Sequence, residues 1–345
     1  MPDSNRQWRV ADYPGPDQPI SKAHFAWVSE EVPEPAEGEF LVQTAYLTPI
    51  PAQRGYLDNK QSMFLGESLP LGAVMRGRGI GKIIESKHPD YSPGEIFVGS
   101  LGWQDFSIQR PLGNDFIFST RKITKPHAPL SLHMGILGQA GGTGYFGLLE
   151  GGQIKAGDNV LISAAAGGVG SVAGQIARIK GAQKVIGITS TDKKCAWLCN
   201  ELGYTAAINY KTENLDKKLA EYFPEGIDLF LDSVGGNILN TALKYLAMHA
   251  RVAIGGYIST QYSSASSIGP GNYYNLLFKR ARMQGFVYFD YWDRYDEAEQ
   301  VLSKWYDEGQ LINTEYLIEG LENMPTALAG LFTGRNRGIT VCKVN

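Results

Sequence analysis

Cysteine is scarce in this sequence and poorly spaced for chemistry: three in 345 residues, with Cys195 and Cys199 four apart and Cys342 remote. Neither a CxxC redox pair nor the paired CxxC of a zinc lobe is present, which excludes a disulfide framework and leaves packing thiols as the expectation. An excess of charge is lacking too. Thirty-two basic and 35 acidic residues leave a formal charge of −3, without the basic stripe that a phosphate backbone or an anionic bilayer would require, so neither nucleic acid nor membrane is expected as a partner. Long apolar runs are missing as well. The uncharged stretch 126–149 is broken by His127, His133, Gln139 and several glycines, a poor lipid-facing helix. The opening MPDSNRQWRV has no apolar signal segment, and a cytoplasmic protein is expected.

What the chain does have is glycine: 41 in 345 residues, about 12% against a usual level of roughly 7%. Glycine in quantity signals tight turns and close backbone approach. With 43% hydrophobic and 19% charged residues the composition is globular, and the length suits two domains. The first 20 residues, with four prolines, read as an extended arm. Segments 24–30, 39–47, 79–85 and 95–103 are short, β-branched or aromatic, and separated by Pro and Gly, as in an antiparallel barrel or sandwich. From about Gly138 the pattern becomes α/β. Strand candidates at 159–163, 184–189, 206–209, 227–232 and 251–255 alternate with helix candidates at 170–180, 192–203, 213–223 and 236–248, the pattern of a doubly wound parallel sheet. Helices at 293–308 and 324–333 and a last strand, ITVCKV, follow; that strand has the composition to rejoin the amino-terminal unit.

The sharpest local signal is NVLIS followed by Ala164-Ala165-Ala166-Gly167-Gly168-Val169-Gly170 and the helix SVAGQIARIK. A strand delivers the chain into a glycine turn, and the free N–H groups of the next helix then face an anion, typically a pyrophosphate. The form is Ala164-x-x-Gly167-x-x-Gly170 rather than the strict G-x-G-x-x-G. Ala164, Gly167, Gly168, Val169 and Gly170 are therefore candidate cofactor contacts. Where the second strand ends, Ser190-Thr191-Asp192-Lys193-Lys194 sets two hydroxyls and two lysines around one acid. That surround favours a 2′-phosphate, hence NADP(H), with Lys194 as the cation and Asp192 as the expected N-cap of the following helix.

The stretches YLTPIPAQRGYLD, HPDYSPGEIFVGSLGWQDF, GGTGYFGLLEGGQIKAGDNVLISAAAGGVGSVAGQIA, TDKKCAWLCNELGYTAAINYKT, LDSVGG, RMQGFV and EGLENMPTALAGLFTGRNRG together resemble the medium-chain dehydrogenase/reductase superfamily. Within it they are similar to the zinc-free branch of prostaglandin reductase, curcumin reductase and the alkenal double-bond reductases. The similarity covers nearly the whole chain. It implies a Rossmann domain, 131–310, inserted in a β-rich GroES-like catalytic domain made of 1–130 and 311–345. It also implies NADPH, with Lys194, Tyr210 and Asn336 at positions that contact the 2′-phosphate or neighbouring cofactor groups and Ser190 adding a hydroxyl. Gly141 and Thr143 are then expected to pack by the nicotinamide, and Ser233, Val234, Gly256, Ile258, Phe286 and Val287 to line its side; Ser233 stands where the branch usually has Asn. A homodimer is implied through an edge strand of the Rossmann sheet, for which GFVYF at 285–289 is the candidate.

The zinc alcohol dehydrogenases carry an early Cys or His, a Gly-His-Glu and a four-Cys lobe. This sequence has none of these, and its histidines at 24, 88, 127, 133 and 249 are scattered, so no metal is expected. Hydride transfer to a conjugated C=C–C=O fits what remains. Charge then builds on the carbonyl oxygen, and a phenol of pKa about 10 is protonated at neutral pH and can donate to it. In this branch a Tyr follows a GxIS segment, and here the chain reads Gly256-Tyr257-Ile258-Ser259-Thr260-Gln261-Tyr262, one residue longer than the usual Ile-Ser-x-Tyr. Three alternatives stay open: Tyr262 on a bulged loop, Tyr257, or neither. The substrate pocket also departs from the branch, with Ile50 for Asp, Ala52 for Tyr, and Gln139-Ala140 for Met-Pro. A larger and more apolar pocket follows, lined by Ile50, Ala52, Arg54, Gln139 and Tyr273, the last in a tyrosine-rich GNYYNLL that reads as a lid. The expected activity is NADPH-dependent reduction of the C=C bond of an enone or enal, with room for a bulky specialised substrate. The alternatives are a quinone oxidoreductase of the zeta-crystallin kind and a non-catalytic NADP(H)-binding protein.

Overall fold

Two compact units share the chain: Met1–Met134 with Glu315–Arg335 and Thr340–Asn345, and Gly135–Thr314 with Asn336–Ile339. The computed structural model describes residues 4–15, 17–58, 68–110, 120–259 and 269–344.

In the first unit, β1 (Asn5–Val10) and β2 (Phe25–Glu30) pair antiparallel, with Trp8 opposite Trp27. The expected arm is thus partly a strand, because it has side chains to bury and a clamp to hold it. Trp8 is 1% exposed and its indole N–H donates to the Leu321 carbonyl at 2.8 Å. The Arg6 guanidinium meets both carboxylate oxygens of the buried Asp105, at 2.7 and 2.9 Å. Strands β3 (Phe40–Thr48), β4 (Arg78–Ser86), β5 (Ile96–Ser100), β6 (Phe106–Gln109) and β7 (Arg121–Ile123) continue this unit. They are antiparallel, and β6 pairs with β3.

The second unit opens with helix α1 (Gln139–Phe146). It continues through β8 (Asn159–Ile162), α2 (Gly168–Ile179), β9 (Lys184–Thr189), α3 (Asp192–Leu202), β10 (Ala206–Asn209), α4 (Leu215–Tyr222), β11 (Ile227–Asp232), α5 (Gly236–Ala242) and β12 (Leu246–Ile254). Helix α6 (Asn275–Lys279), β13 (Arg282–Gly285) and α7 (Tyr295–Asp307) complete it. The strands are parallel in the order β10-β9-β8-β11-β12-β13. That is the 3-2-1-4-5-6 order of a dinucleotide-binding Rossmann sheet. Its core is mainly aliphatic: Leu161, Ile186, Ile188, Ile208 and Val252 are buried with Phe230 among the helices that cover the sheet.

Two expectations are corrected here. The helix expected over 236–248 stops at Ala242, and after a single 3-10 turn the chain is already in β12. The run LAMHARVAI is claimed by pairing with β11, and it absorbs an irregularity at His249, whose φ is +61°. The edge strand is not 285–289 but Arg282–Gly285. Phe286 turns inward, because Gly147, Gly151 and Gly255 leave room only for its ring: a Cβ on any of them would lie 2.5 to 3.1 Å from it. The remainder, Tyr288–Arg294, winds as a 3-10 helix whose aromatic residues pack on Tyr295.

The tail returns to the first unit as β14 (Glu315–Glu319), α8 (Met324–Thr333) and β15 (Ile339–Lys343). Strand β15 pairs antiparallel with β3, Cys342 opposite Leu47, in a sheet ordered β14-β15-β3-β4-β5-β7. Leu321, Met324 and Leu328 of the tail share one core with Trp8, Phe40, Phe97 and Trp103.

Candidate cofactor and active site

The carboxyl ends of the parallel strands carry the candidate site. Strand β8 is buried along its length and ends in a turn whose tip, Ala164, is exposed with φ +46°. Gly167 then caps α2. Glycine is required at 170: a Cβ there would lie 2.6 Å from both the Ala164 carbonyl oxygen and the Ala165 Cα. The first N–H groups of a helix have no acceptor within it, and here Gly168 and Val169 are half-buried beside the turn. Gly338, with φ +77°, closes against the turn, its N–H donating to the Ala166 carbonyl at 2.9 Å while its backbone bridges Gly167. This brings Asn336, whose side-chain amide donates to the Gly338 carbonyl at 3.3 Å, to the glycine turn. Behind the turn, the buried Tyr204 hydroxyl donates to the Gly170 carbonyl at 2.6 Å.

At the end of β9, Ser190 is half-buried and Thr191, not Asp192, is the N-cap, its hydroxyl accepting from the Lys194 N–H at 3.3 Å. Asp192 is displaced into the first turn because Asn209 claims it: the Asn209 amide donates to Oδ1 at 2.7 Å. Lys194 is half-buried, and burial, then the charge of Lys211, hold its ammonium below the ordinary lysine range. Two cations set together in a partly desolvated place suit a dianion such as a 2′-phosphate. Lys211 escaped the sequence reading although it stands one residue after Tyr210, which is 45% exposed. Cys195, one residue on, is no nucleophile: burial, then Glu213 and Asp192, push its thiol up to about 11.

The ends of β11 and β12 are knitted together. Val234 accepts from both the backbone N–H and the hydroxyl of Ser259, at 3.1 and 2.6 Å. A Cβ on Gly256 would lie 3.1 Å from the Ser233 carbonyl oxygen, and the Cβ position of Gly235 is 3.5 Å from the Tyr257 Cβ. Ser233, Val234, Gly256, Tyr257 and Ile258 are thereby brought together, and Tyr257 is 52% exposed. Phe286 donates its backbone N–H to the Ile254 carbonyl at 3.2 Å, and Val287 follows it, half-buried. In α1, a Cβ on Gly141 would overlap the Ile136 carbonyl oxygen, and Thr143 is half-buried. Tyr262, with Thr260 and Gln261, lies outside the described residues.

The residues expected to line the substrate pocket are divided. Gln139 and Tyr273 belong to the second unit, Gln139 at the start of α1 and Tyr273 64% exposed in a 3-10 turn. Ile50, Ala52 and Arg54 belong to the first, around the turn Pro51–Leu57. Arg54 is 4% exposed and donates to the carbonyls of Leu57, Pro14 and Gly15 at 3.3, 3.1 and 3.3 Å. Its guanidinium is occupied in fastening the arm.

Residues 6–115 match the family model described as the N-terminal domain of oxidoreductase, and residues 168–304 the one described as zinc-binding dehydrogenase. The NADPH-dependent curcumin reductase of Escherichia coli is 33% identical over 99% of this chain and 97% of its own length. The NADP(+)-dependent 2-alkenal reductase of Nicotiana tabacum is 36% identical over 91% of this chain and 90% of its own. The crystal structure of CurA from Vibrio vulnificus in complex with NADPH superposes with a TM-score of 0.90, at 33% identity and 99% coverage of both chains. The chain belongs to the zinc-free double-bond reductase branch of the medium-chain dehydrogenase/reductase superfamily. Its two units are the GroES-like and Rossmann parts of that architecture. Despite the zinc in one family description, no group of three or more His, Cys, Asp or Glu side chains is placed to hold a metal among the described residues. No helix among them is long and apolar enough to cross a membrane.

Proposed function

We propose that this protein is an NADPH-dependent ene-reductase that saturates the C=C bond of α,β-unsaturated ketones or aldehydes. The observation that carries this reading is identity of 33% and 36%, over nearly the full chain, to reductases named for curcumin and for 2-alkenals. It takes precedence over quinone reduction and over non-catalytic NADP(H) binding for that reason.

NADPH, when bound, supplies the hydride. The protein's own residues hold and orient it: the N–H groups at the start of α2, at Gly168, Val169 and Gly170, take the pyrophosphate with Asn336 beside them, Lys194 with Lys211 takes the 2′-phosphate, and Ser190 and Tyr210 flank it. Gly141, Thr143, Ser233, Val234, Gly256, Ile258, Phe286 and Val287 form the nicotinamide side. The closed glycine turn and the paired lysines support this assignment, because both fit an anion of this shape. A tyrosine hydroxyl, of Tyr262 or Tyr257, donates to the substrate carbonyl oxygen as negative charge builds there. Ile50 and Ala52, in place of an acid and an aromatic, suit a bulky apolar substrate, with Gln139 and Tyr273 as further contacts. The unit boundaries near 130 and 311 divide substrate binding from cofactor binding in this reading.

The second unit leaves β13 as the edge strand of its sheet, with Met283 39% exposed, and the preceding α6 exposes Leu277 and Phe278 at 74% and 61%. An edge strand with apolar side chains beside it supports a homodimer. Cytoplasmic residence is supported by three free thiols, which stay reduced there.

The decisive experiment uses NADPH stereospecifically deuterated at C4, each face in a separate reaction with a bulky aryl enone. Deuterium on the β-carbon of a saturated ketone, from one face only, is the expected product. Deuterium on a carbinol carbon would mean carbonyl reduction and end the ene-reductase reading.

A further inference from the structure

Strands β8 and β11 are neighbours in the sheet, yet the chain leaves them for opposite sides, β8 toward β9 and β11 toward β12. Such a switch point is where an open α/β sheet receives its ligand. A buried carboxylate lies under it. Asp232, the last residue of β11, is 0% exposed and Ser163, the first residue after β8, is 1% exposed. The Ser163 hydroxyl donates to Asp232 Oδ1 at 2.7 Å and accepts from the Ser233 N–H at 2.8 Å. Asp232 Oδ1 also accepts from the Val234 N–H, and Oδ2 from the Gly235 N–H, both at 3.0 Å.

Three successive backbone N–H groups, 233 to 235, therefore point inward at one hydroxyl and one carboxylate. With the N–H groups fixed inward, the Val234 carbonyl is left to hold Ser259, and the Asp232 carbonyl accepts the Gly255 N–H at 2.8 Å. The loops after β8, β11 and β12 thus share one anchor. Burial raises the Asp232 carboxyl above its ordinary range, and the donors from Ser163, Val234 and Gly235 work against that rise. A carboxylate in so costly a place is held by its donors, and the donors in turn are held by it.

We propose that Ser163 and Asp232 are positioning residues that lock the 233–235 loop, and through it the 255–259 segment, in the arrangement that receives the nicotinamide half of the cofactor. This rests on the NADP(H) reading above. Neither residue touches the ligand; each acts through the backbone it orients. Ser163 directly precedes the glycine turn, but the N–H groups that the pair fixes, 233 to 235, follow β11, whereas the adenosine half is read at α2 and the end of β9, so losing the anchor affects the two halves unequally.

The test compares Ser163→Ala with the wild type by titration with NADPH and with adenosine 2′,5′-bisphosphate, which lacks the nicotinamide half. NADPH affinity is expected to fall about tenfold while bisphosphate affinity stays within about twofold. In the cofactor-free protein, hydrogen exchange at the 233–235 amides is expected to quicken about tenfold. Asp232→Asn, which sets an amide N–H against one of the inward donors, should show the same split and serves if the alanine variant does not fold. Equal losses for both ligands would indicate a general structural role and overturn the proposal, as would unchanged affinity or unchanged exchange. A wild type that binds neither ligand would refute the cofactor reading itself, and the proposal with it.

Discussion

Replacing Gly174 by alanine sets two effects of opposite sign against each other. Alanine in a helix interior is favoured over glycine by about 1 kcal/mol. Against this, a Cβ at 174 would lie 2.1 Å from two ring atoms of Tyr204 and 2.3 Å from its hydroxyl oxygen. Ordinary carbon contacts lie near 3.5 Å, so the ring would have to retreat by about 1.4 Å. It has nowhere to go. Tyr204 is 3% exposed, its hydroxyl is bonded to the Gly170 carbonyl at 2.6 Å, and its ring packs so closely on Gly187 that a Cβ there would lie 3.0 Å from Cε1. Overpacking of about 3 kcal/mol plus a lost hydrogen bond of about 1 kcal/mol outweighs the helix gain, for a net loss of about 3 kcal/mol. In a Tyr204→Leu background the clash is gone, and the same Gly174→Ala change should stabilise by up to about 1 kcal/mol. The assay is denaturant unfolding of the four members of this cycle. The reasoning is refuted if Gly174→Ala stabilises the wild type, or if its sign is the same in both backgrounds. Because Gly170 belongs to the glycine turn proposed to hold the pyrophosphate, Gly174→Ala should also weaken NADPH binding.

Lys194→Ala should raise KM for NADPH by about 10- to 100-fold and leave KM for NADH within about threefold, measured by steady-state kinetics with each cofactor. The depressed Lys194 ammonium means that the unfolded chain holds its proton to higher pH. In the cofactor-free protein the cost of burying that charge is fully present below the depressed value and is relieved as pH rises from there to the ordinary 10.5. Lys194→Met is therefore stabilising at neutral pH, and melting curves should show the gain shrinking across that window. Of Tyr262→Phe and Tyr257→Phe, one should lower kcat by about 100-fold with NADPH affinity unchanged; if both leave kcat intact, no tyrosine of this segment is the donor. Met283→Lys on β13 should convert a dimer to a monomer by light scattering, whereas a monomeric wild type would end the dimer proposal.

The Rossmann order and its glycine turn were legible because strand, turn and helix each leave a local trace: NVLIS, the glycines, and the periodicity of SVAGQIARIK. What escaped depended on contacts distant in sequence. Asp192 looks like an N-cap until Asn209, seventeen residues on, takes its carboxylate. GFVYF has strand composition, but the glycines at 147, 151 and 255 that draw Phe286 inward lie far from it. Arg54 reads as a pocket residue beside Ala52, yet its guanidinium also donates to the Pro14 and Gly15 carbonyls of the arm, 40 and 39 positions away. The Ser163 and Asp232 pair is 69 residues apart, and neither residue belongs to a motif that names the other.

The second unit is not a continuous piece of chain. Gly338, whose N–H meets the Ala166 carbonyl, arrives only after the chain has run through β14 and α8 of the other unit. A fragment cut at 135 and 314 would therefore carry the glycine turn without the residue that closes it. The second unit cannot be excised whole, or traded between enzymes, by recombination at two points. Whatever lineage borrows it must bring the tail along, and the rest of the first unit travels with the tail.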